Sequence, residues 1–313
     1  MGKRIKWVDL AKGIGIILVV YGHVILGVHD AGLSLNGLNY NLQHSFIYTF
    51  HMPLFFFLSG LFAKRWVGRP TKVALSQKMR TLLFPYIVWG IIQGIIMALF
   101  SSSTNGSTNF IDIIKLPIQP FGQFWFVYDL FWIFLLFYVM EHLFKLSLKK
   151  IFLLSFILCF VSQWISIWQF GRIFYYLPFF IAGVYLGPRQ LKFKKPVIIS
   201  GFILFIFINL LRYFVNWGGF QVVVDVLTAF TGILLVIMLV QKFDSKLLSY
   251  IGRRSLDVYL LHIMATAGTR IILMKLGVDL VVVHLLLGTV MGVLGPIIAV
   301  EFFKKINIYK YLF

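Results

Sequence analysis

The sequence predicts an all-α protein, a polytopic transmembrane helical bundle of about ten helices with both termini in the cytoplasm. Of the 313 residues, 60% are hydrophobic and only 12% are charged. A soluble domain of this size needs more surface charge than that to stay dispersed in water. Apolar runs of about 18 or more residues recur along the chain, as membrane-spanning helices require. A membrane β-barrel would instead show short segments of alternating hydrophobicity.

Charge clusters and breaks rich in proline, glycine or asparagine divide the chain into the predicted spans, which form one domain over residues 1–313. The sixth span is the shortest, and we expect Pro178 to break it. The predicted spans cover approximately residues 7–28, 44–63, 81–101, 124–144, 151–169, 174–187, 197–214, 220–241, 255–274 and 280–301.

The Lys and Arg residues predict topology rather than nucleic-acid binding. The net charge of +19 is spread over short clusters between the apolar runs, whereas a nucleic-acid partner favours one continuous basic patch. Basic loops such as KRIK, KLSLKK and PRQLKFKK alternate with loops that hold few Lys or Arg. By the positive-inside rule, this alternation places both termini in the cytoplasm. The predicted partners therefore include membrane lipids and no nucleic acid, and the sequence leaves the oligomeric state open.

The first span, WVDLAKGIGIILVVYGHV, carries three ionisable residues, Asp9, Lys12 and His23. An ionisable group at membrane depth costs at least ~2.5 kcal/mol, which makes each of them a candidate functional residue. Lys12 and His23 are separated by about 16 Å of helix and return to almost the same face. We therefore expect a polar stripe along one wall of this helix. The alternative for Asp9 and Lys12 is an interfacial pair, with Lys12 extending to water.

The second span contains FHMPLFFFLSG, which places His51 about two turns below the outer surface. His23 rises to a similar depth from the opposite side. Two histidines from antiparallel helices are thus predicted to meet in the outer half of the membrane. The alternative for each is a hydrogen-bonded packing residue. The spacings HxxxH and HExxH are absent, so no metal site is predicted.

Five segments, taken in order, resemble the acyltransferase family 3 membrane proteins. These are largely bacterial O-acyltransferases that modify surface polysaccharides, lipid-linked glycans and other hydroxylated acceptors. The resemblance covers nearly the whole chain and rests on WVDLAKGIGIILVVYGHV, FHMPLFFFLSGLF, QFWFVYDLF, YYLPFFIAGVYLG and IGRRSLDVYLLH. The family's first helix carries an arginine, ten further residues and a histidine. Lys12 holds the arginine position here and His23 the histidine position, although lysine lacks the planar fork of arginine.

The FHMPLFFFLSG segment is closest to the sugar O-acetylases of the family, which implies a stand-alone enzyme without an extracellular hydrolase-like domain. The resemblance implies transfer of an acetyl group from cytoplasmic acetyl-CoA to a hydroxyl of a cell-surface or lipid-linked glycan, at the inner membrane. His23 is the expected general base, because a partly desolvated imidazole stays neutral and basic near pH 7. His51 would orient His23 or the acceptor, and Lys12 and Asp9 complete the predicted catalytic set.

The same resemblance directs attention to donor and acceptor sites. Phosphates of the donor need cations, although positive-inside topology alone also predicts basic clusters. The candidate donor-binding residues are Lys64, Arg65, Arg69, Lys72, Arg80, Arg253 and Arg254. The candidate acceptor-binding residues are Trp125, Tyr128, Asp129, Ser255, Tyr259 and His262. For Trp125, Tyr128 and Asp129 the alternative is an interfacial aromatic belt. For Ser255, Tyr259 and His262 it is a hydrogen-bonded packing cluster.

A transporter or exporter of a glycan or lipid-linked sugar, without transfer chemistry, is the alternative function. It is favoured by the aspartates inside the predicted spans, which could line a pathway. These residues are Asp9, Asp129, Asp225 and Asp257.

Overall fold

The computed structural model describes residues 5–33, 40–100, 110–189 and 191–313. The described residues form helices and connecting turns and contain no β-strand, which confirms the predicted all-α class. Residues 3 and 4 of the basic segment 3–6 lie outside the described residues.

Within the described ranges, sixteen α-helices follow one another. Short 3-10 segments lie at Gly122–Phe124, Ser162–Trp164 and Gly218–Phe220, and π-helical turns at Met79–Leu83 and Val139–Leu143. The α-helices are α1 (Lys6–Asp30), α2 (Tyr40–Tyr48), α3 (His51–Gly60), α4 (Ala63–Val67), α5 (Thr71–Lys78), α6 (Phe84–Leu99), α7 (Phe110–Lys115), α8 (Trp125–Tyr138), α9 (Leu148–Val161), α10 (Phe170–Leu186), α11 (Lys195–Phe214), α12 (Gln221–Val240), α13 (Lys246–Arg253), α14 (Ser255–Lys275), α15 (Val281–Lys305) and α16 (Tyr309–Leu312).

Seven helical stretches of the described chain are long and apolar enough to cross a membrane. A shorter apolar helix, Phe170–Leu186, accompanies them. The count of ten spans and the cytoplasmic position of the termini stay predictions. The seven stretches are Lys6–Asp30, Thr71–Leu99, Gly122–Leu143, Lys195–Phe214, Gly218–Val240, Ser255–Lys275 and Val281–Lys305.

The predicted second span is two helices, because α2 ends at Tyr48 and α3 begins at His51. At the junction, Phe50 has φ −126° and ψ −19°, outside the α-helical region. Pro53 explains the interruption. A proline has no N–H and its ring clashes with the carbonyl four residues earlier, so it is tolerated best in the first turn of a helix, which is where Pro53 lies in α3. His51 therefore opens a helix instead of lying within one.

The prediction that Pro178 breaks the sixth span was wrong. Helix α10 runs without interruption from Phe170 to Leu186 with Pro178 inside it. Neighbouring helices and small local adjustments can satisfy the backbone groups that a proline frees in a membrane-spanning helix.

The described chain forms two compact units. The first unit comprises Met1–Gly15, Ser45–Gln77 and Asp129–Gly252, and the second comprises Ile16–His44, Lys78–Tyr128 and Arg253–Phe313. Helix α1 contributes its first residues to the first unit and the remainder to the second. The prediction of one domain over the whole chain stays a prediction.

In the first unit, α3 packs against α10 and α12, α9 against α10, and α11 against α12. The contact between α3 and α10 passes through two glycines. A Cβ added to Gly60 would lie 2.9 Å from the carbonyl carbon of Phe180, and one added to Gly183 would lie 2.9 Å from the carbonyl carbon of Phe57. Both distances are shorter than side chains permit, so the two backbones approach as closely as glycine allows.

In the second unit, α14 packs along α15 and also contacts α6. Helix α15 also meets α1 through two glycines. A Cβ at Gly288 would lie 2.9 Å from Val24 Cγ1, and one at Gly292 would clash with Val20 at 2.5 Å. The close approach of α1, α14 and α15 fixes the wall on which His23 lies.

Candidate active site

His23 and His262 lie next to each other in the second unit. Their ring centroids are 5.0 Å apart, with 55° between the ring planes. His262 is fully buried, and His23 has intermediate exposure. The structure therefore brings together two predicted site residues that are separated by more than two hundred residues in sequence.

One hydrogen bond fixes the tautomer of His262. Its Nδ1 lies 2.7 Å from the carbonyl oxygen of Tyr259. A carbonyl oxygen only accepts, so Nδ1 carries the hydrogen, and Nε2 of the neutral ring carries the lone pair. Tyr259 in turn donates its hydroxyl hydrogen to the backbone carbonyl of Gln123. Its ring packs edge-on against Phe126, with centroids 5.3 Å apart. In the neutral ring of His262, Nε2 is therefore the nitrogen that is able to accept a hydrogen bond.

A cavity of about 430 Å³ opens beside His23. Helices α1, α6 and α14 line it, mainly with apolar side chains. Its volume lies in the range of small-molecule sites, which combine apolar walls with a few polar groups. The polar and charged residues on its wall are His23, Asp30, Gln93, Thr266, Arg270 and Lys275.

Gln93 is held by a reciprocal pair of amide hydrogen bonds. Its Nε2 donates to Gln123 Oε1 at 3.1 Å, and Gln123 Nε2 donates back to Gln93 Oε1 at 2.7 Å. Both side chains are buried. Because buried amides are costly unless paired, this arrangement locks α6 to the segment that precedes α8.

His284 is another buried histidine of the second unit. Its Nε2 donates to the carbonyl oxygen of Val278 at 2.7 Å, which leaves the lone pair on Nδ1. Within the described part of the chain, this buried Nδ1 has no hydrogen-bond partner. His284 lines a second, smaller cavity together with His23 and Arg270.

The start of α2 packs on the end of α1. Tyr40 stacks on His29, with centroids 4.0 Å apart and 14° between the planes. The hydroxyl of Tyr21 donates to Gln43 Oε1 at 2.8 Å. Burial, and then the neighbouring Asp30 carboxylate, raise the pKa of the Tyr40 phenol. Tyr40 therefore keeps its proton at neutral pH.

Comparison with known proteins identifies the family. The model of acyltransferase family 3, described as an acyltransferase domain, matches residues 5–301. The chain belongs to this family. The match runs through both compact units and includes every candidate site residue.

Two curated relatives of this acyltransferase-family chain carry the same name. Nodulation protein NolL of Mesorhizobium japonicum is 25% identical over 214 residues, which are 67% of this chain and 56% of the relative. Nodulation protein NolL of Sinorhizobium fredii is 33% identical over 132 residues, 41% of this chain and 34% of the relative. The aligned segments thus span between a third and somewhat over half of these relatives. No solved structure matches the chain.

His51 belongs to the first compact unit of the chain. Its Nδ1 donates to the carbonyl oxygen of Ile47 at 2.7 Å, and its ring lies edge-on to Tyr48 at 4.8 Å. The same argument as for His262 puts the lone pair on Nε2. Because His23 is part of the second unit, the predicted convergence of His23 and His51 stays a prediction.

Asp9 and Lys12 lie on the part of α1 that belongs to the first unit. Helix α13 packs closely on this part. A Cβ at Gly252 would lie 2.8 Å from the carbonyl carbon of Asp9, and one at Gly13 would lie 2.7 Å from Leu248 Cδ1. Small residues thus admit a neighbouring helix beside the predicted polar stripe, as such residues do in membrane proteins.

The predicted donor-binding cations fall into two sets. The first unit holds four exposed cations on α4, on α5 and on the turn between them, namely Lys64, Arg65, Arg69 and Lys72. A hydrogen bond of 2.8 Å from Trp66 Nε1 to the carbonyl oxygen of Ala74 joins the two helices. Lys64 also pairs with Glu141 at 2.6 Å. The second unit contributes Arg80, Arg253 and Arg254. Arg254 pairs with Asp257 at 3.2 Å and with Glu301, so part of its charge is committed to helix packing.

The predicted acceptor residues divide in the same way. Asp129 is fully buried in the first unit and forms a two-point ion pair with Arg172, whose Nη2 lies 3.3 Å from Oδ1. In the second unit, the Tyr128 hydroxyl donates to the carbonyl of Pro117 at 3.0 Å. Trp125 and Ser255 are the first residues of α8 and α14. Of the six residues, His262 contacts His23, and Tyr259 contacts His262.

Sequence reasoning missed Gln93, Arg270 and His284. Arg270 had a clear signal, because an arginine inside an apolar span invites the same argument that singled out His23. Gln93 and His284 are single polar residues in apolar runs and gave no pattern. Within the described ranges, no three His, Cys, Asp or Glu side chains come together as a potential metal-binding group.

Proposed function

We propose that the chain is an inner-membrane O-acetyltransferase that moves an acetyl group from cytoplasmic acetyl-CoA to a hydroxyl of a cell-surface or lipid-linked glycan. Membership of an acyltransferase family supports acyl transfer. One observation carries the assignment to a site: His23 lies beside the ring of His262 on the wall of a cavity of about 430 Å³.

In this proposal, neutral His23 is the general base. Its imidazole removes the proton of the acceptor hydroxyl while the oxygen attacks the thioester carbonyl carbon. The tetrahedral intermediate collapses by breaking the carbon–sulfur bond. The imidazolium then returns its proton to the leaving thiolate. The products are the acetylated hydroxyl and coenzyme A, and His23 is neutral again.

His262 supports this role as a positioning residue. With its hydrogen on Nδ1, its Nε2 can accept the N–H of the adjacent His23 ring and leave the other nitrogen of His23 basic. A base that is itself oriented by a third group is the usual arrangement in acyl transfer. We propose that His51 orients the acceptor.

The donor side of the proposal rests on charge. Lys12 and Asp9 lie towards the predicted cytoplasmic end of α1, where the thioester would enter. The phosphates of acetyl-CoA are proposed to bind exposed cations, either those of the first unit such as Arg65 or those of the second unit such as Arg253.

Purified protein in lipid nanodiscs tests the base. It should transfer radiolabelled acetyl from acetyl-CoA to a glycan acceptor, and His23→Ala should lower the rate about 10²- to 10⁴-fold. His29→Ala is a matched control, since His29 lies on the same helix but is exposed. Both variants should keep the thermal stability of the parent. Near-normal turnover by His23→Ala would end the assignment.

Two substitutions test the positioning role of His262. His262→Gln keeps an acceptor near the Nε2 position and should retain more activity than His262→Phe. The loss should fall on kcat with little change in KM for acetyl-CoA, and the pH–rate profile should shift, because the basicity of His23 would change. A loss of folded protein without a shifted profile would indicate a purely structural role. A trapped acetyl-histidine would replace direct transfer by an acyl-enzyme route.

The transport alternative has less support than the sequence suggested. Three of the four aspartates that favoured it are ion-paired with arginines. The pairs are Asp129 with Arg172, Asp225 with Arg212 and Asp257 with Arg254. The first two pairs join different helices and the third lies in the first turn of α14, so none of the three needs a translocated substrate to explain it.

A further inference from the structure

Arg270 is a cation inside a membrane-spanning helix. It lies in the last third of α14, within an apolar span of 21 residues. An arginine inside such a helix is costly, and residues of this kind often mark substrate pathways. Arg270 lines both the large and the small cavity, and His23 lines both as well.

The guanidinium of Arg270 lies in the space that the missing side chain of Gly27 leaves open. A Cβ at Gly27 would collide with Nη1 of Arg270 and would lie 3.6 Å from Cζ. The guanidinium therefore rests directly against the backbone of α1. Gly27 follows His23 by four residues, so the two positions share one helix face about 5–6 Å apart. The cation is thus held one turn above the proposed base.

The charges on the wall of the large cavity favour an anion. Among its described lining residues, Arg270 and Lys275 are cations and Asp30 is the carboxylate. The rest of the wall is mainly apolar. Electrostatic attraction is strengthened in such surroundings because water screens it less.

We propose that Arg270 binds an anionic group of the acceptor, a phosphate or a carboxylate, and so places the acceptor hydroxyl at His23. This proposal rests on the proposed function, in which His23 is the base at this cavity. A planar guanidinium grips either oxyanion through two hydrogen bonds. The donor phosphates are not its partner, because α1 is predicted to enter from the cytoplasm and Gly27 lies near its outer end.

The anionic group has two possible sources, the phosphate of a lipid carrier or an acidic sugar. Matched probes separate them. Octyl β-glucuronide is compared with octyl β-glucoside, and farnesyl phosphate with farnesol. Binding is measured by calorimetry on His23→Gln protein in nanodiscs of uncharged lipid. Because this protein catalyses nothing in the proposal, the measurement is independent of transfer.

We expect at least one anionic probe to bind about tenfold or more tightly than its neutral partner, as a charge-assisted hydrogen bond of about 1.5–3 kcal/mol predicts. Arg270→Gln should abolish this preference and leave the affinity for the neutral probe within about twofold. Arg270→Lys should keep part of it, since the charge remains without the fork. The pair that shows the preference identifies the source of the anion.

Gly27→Ala provides a second variant that leaves Arg270 in place. The added methyl would displace the guanidinium and should weaken the preference. Gly295→Ala is its matched control, because a Cβ there would make an ordinary contact of 3.5 Å with Ala265. The proposal is overturned if neither anionic probe is preferred, or if Arg270→Gln and Gly27→Ala both keep the preference. An absence of acetyl transfer by the parent protein would count against the proposed function instead.

Discussion

Replacing Gly60 by alanine is expected to destabilise the first unit, because the backbones of α3 and α10 meet at this residue. The added Cβ would lie 2.9 Å from the carbonyl carbon of Phe180 and 3.0 Å from the nitrogen of Val184. Ordinary contact begins at 3.4 Å, and the carbonyl oxygen of Phe180 would lie still closer than its carbon, so the helices must separate by more than the 0.5 Å between 3.4 and 2.9 Å. The obstacle is backbone, which cannot rotate away as a side chain can.

The energy follows from this separation. A gap of about 0.5–1 Å forfeits a quarter to a half of the dispersion energy of the atoms that face it. Overpacking of a tight contact typically costs about 1–3 kcal/mol, and a backbone clash belongs at the upper end. We therefore expect Gly60→Ala to lower the free energy of unfolding by about 2–3 kcal/mol.

Gly183 makes the prediction sharper, because it forms the other half of the same crossing. One separation of α3 from α10 relieves the clash at both positions. The double variant Gly60→Ala, Gly183→Ala should therefore cost clearly less than the sum of the two single variants. Gly219→Ala is the control, since a Cβ there meets nothing within 4 Å.

The assay is reversible unfolding by a denaturing detergent in mixed micelles, followed by circular dichroism. A Gly60→Ala protein within about 0.5 kcal/mol of the parent would refute the reasoning. Additive costs in the double variant would also refute it, because they would mean that the two glycines act at independent contacts.

Two further substitutions probe the buried polar pairs. Arg172→Ala should destabilise the protein by about 3 kcal/mol or more, because it leaves the fully buried Asp129 carboxylate uncompensated. Replacing both residues by apolar ones should cost less, and the same unfolding assay checks the order. Gln93→Leu should cost about 1–3 kcal/mol, since the buried amide of Gln123 loses its partner. The double variant Gln93→Leu, Gln123→Leu should recover part of that loss, and equal instability would contradict the reciprocal pairing.

The elements that sequence patterns predicted well are those set by local composition. The first predicted span, residues 7–28, is α1 from Lys6 to Asp30, and the ninth, residues 255–274, is α14 from Ser255 to Lys275. Apolar length alone decides whether such a segment becomes a helix in a membrane. Proline was harder to interpret. Pro53 coincides with a fresh helix start, whereas Pro178 is accommodated inside α10.

The pairing of polar residues was beyond the sequence. Asp129 and Arg172 are 43 positions apart, and Gln93 and Gln123 are 30 apart. Helical periodicity assigns each residue to a face of its own helix but does not say which helices meet. The sequence identified His262 as a candidate by the family resemblance and by its helix face. Neither pattern, however, predicts that His262 lies beside His23.

These pairs change how the ionisable residues of the spans should be interpreted. A charge that meets an opposite charge across two helices, as Asp129 meets Arg172, has a structural explanation for its cost in the membrane. His23 and Arg270 each line the cavity of about 430 Å³ and also the smaller one beside it. Ionisable residues at membrane depth on a cavity wall are candidates for ligand contact, which is the role proposed above for both. If substitutions at both positions left ligand binding and transfer intact, the cavity would have to be regarded as a packing defect.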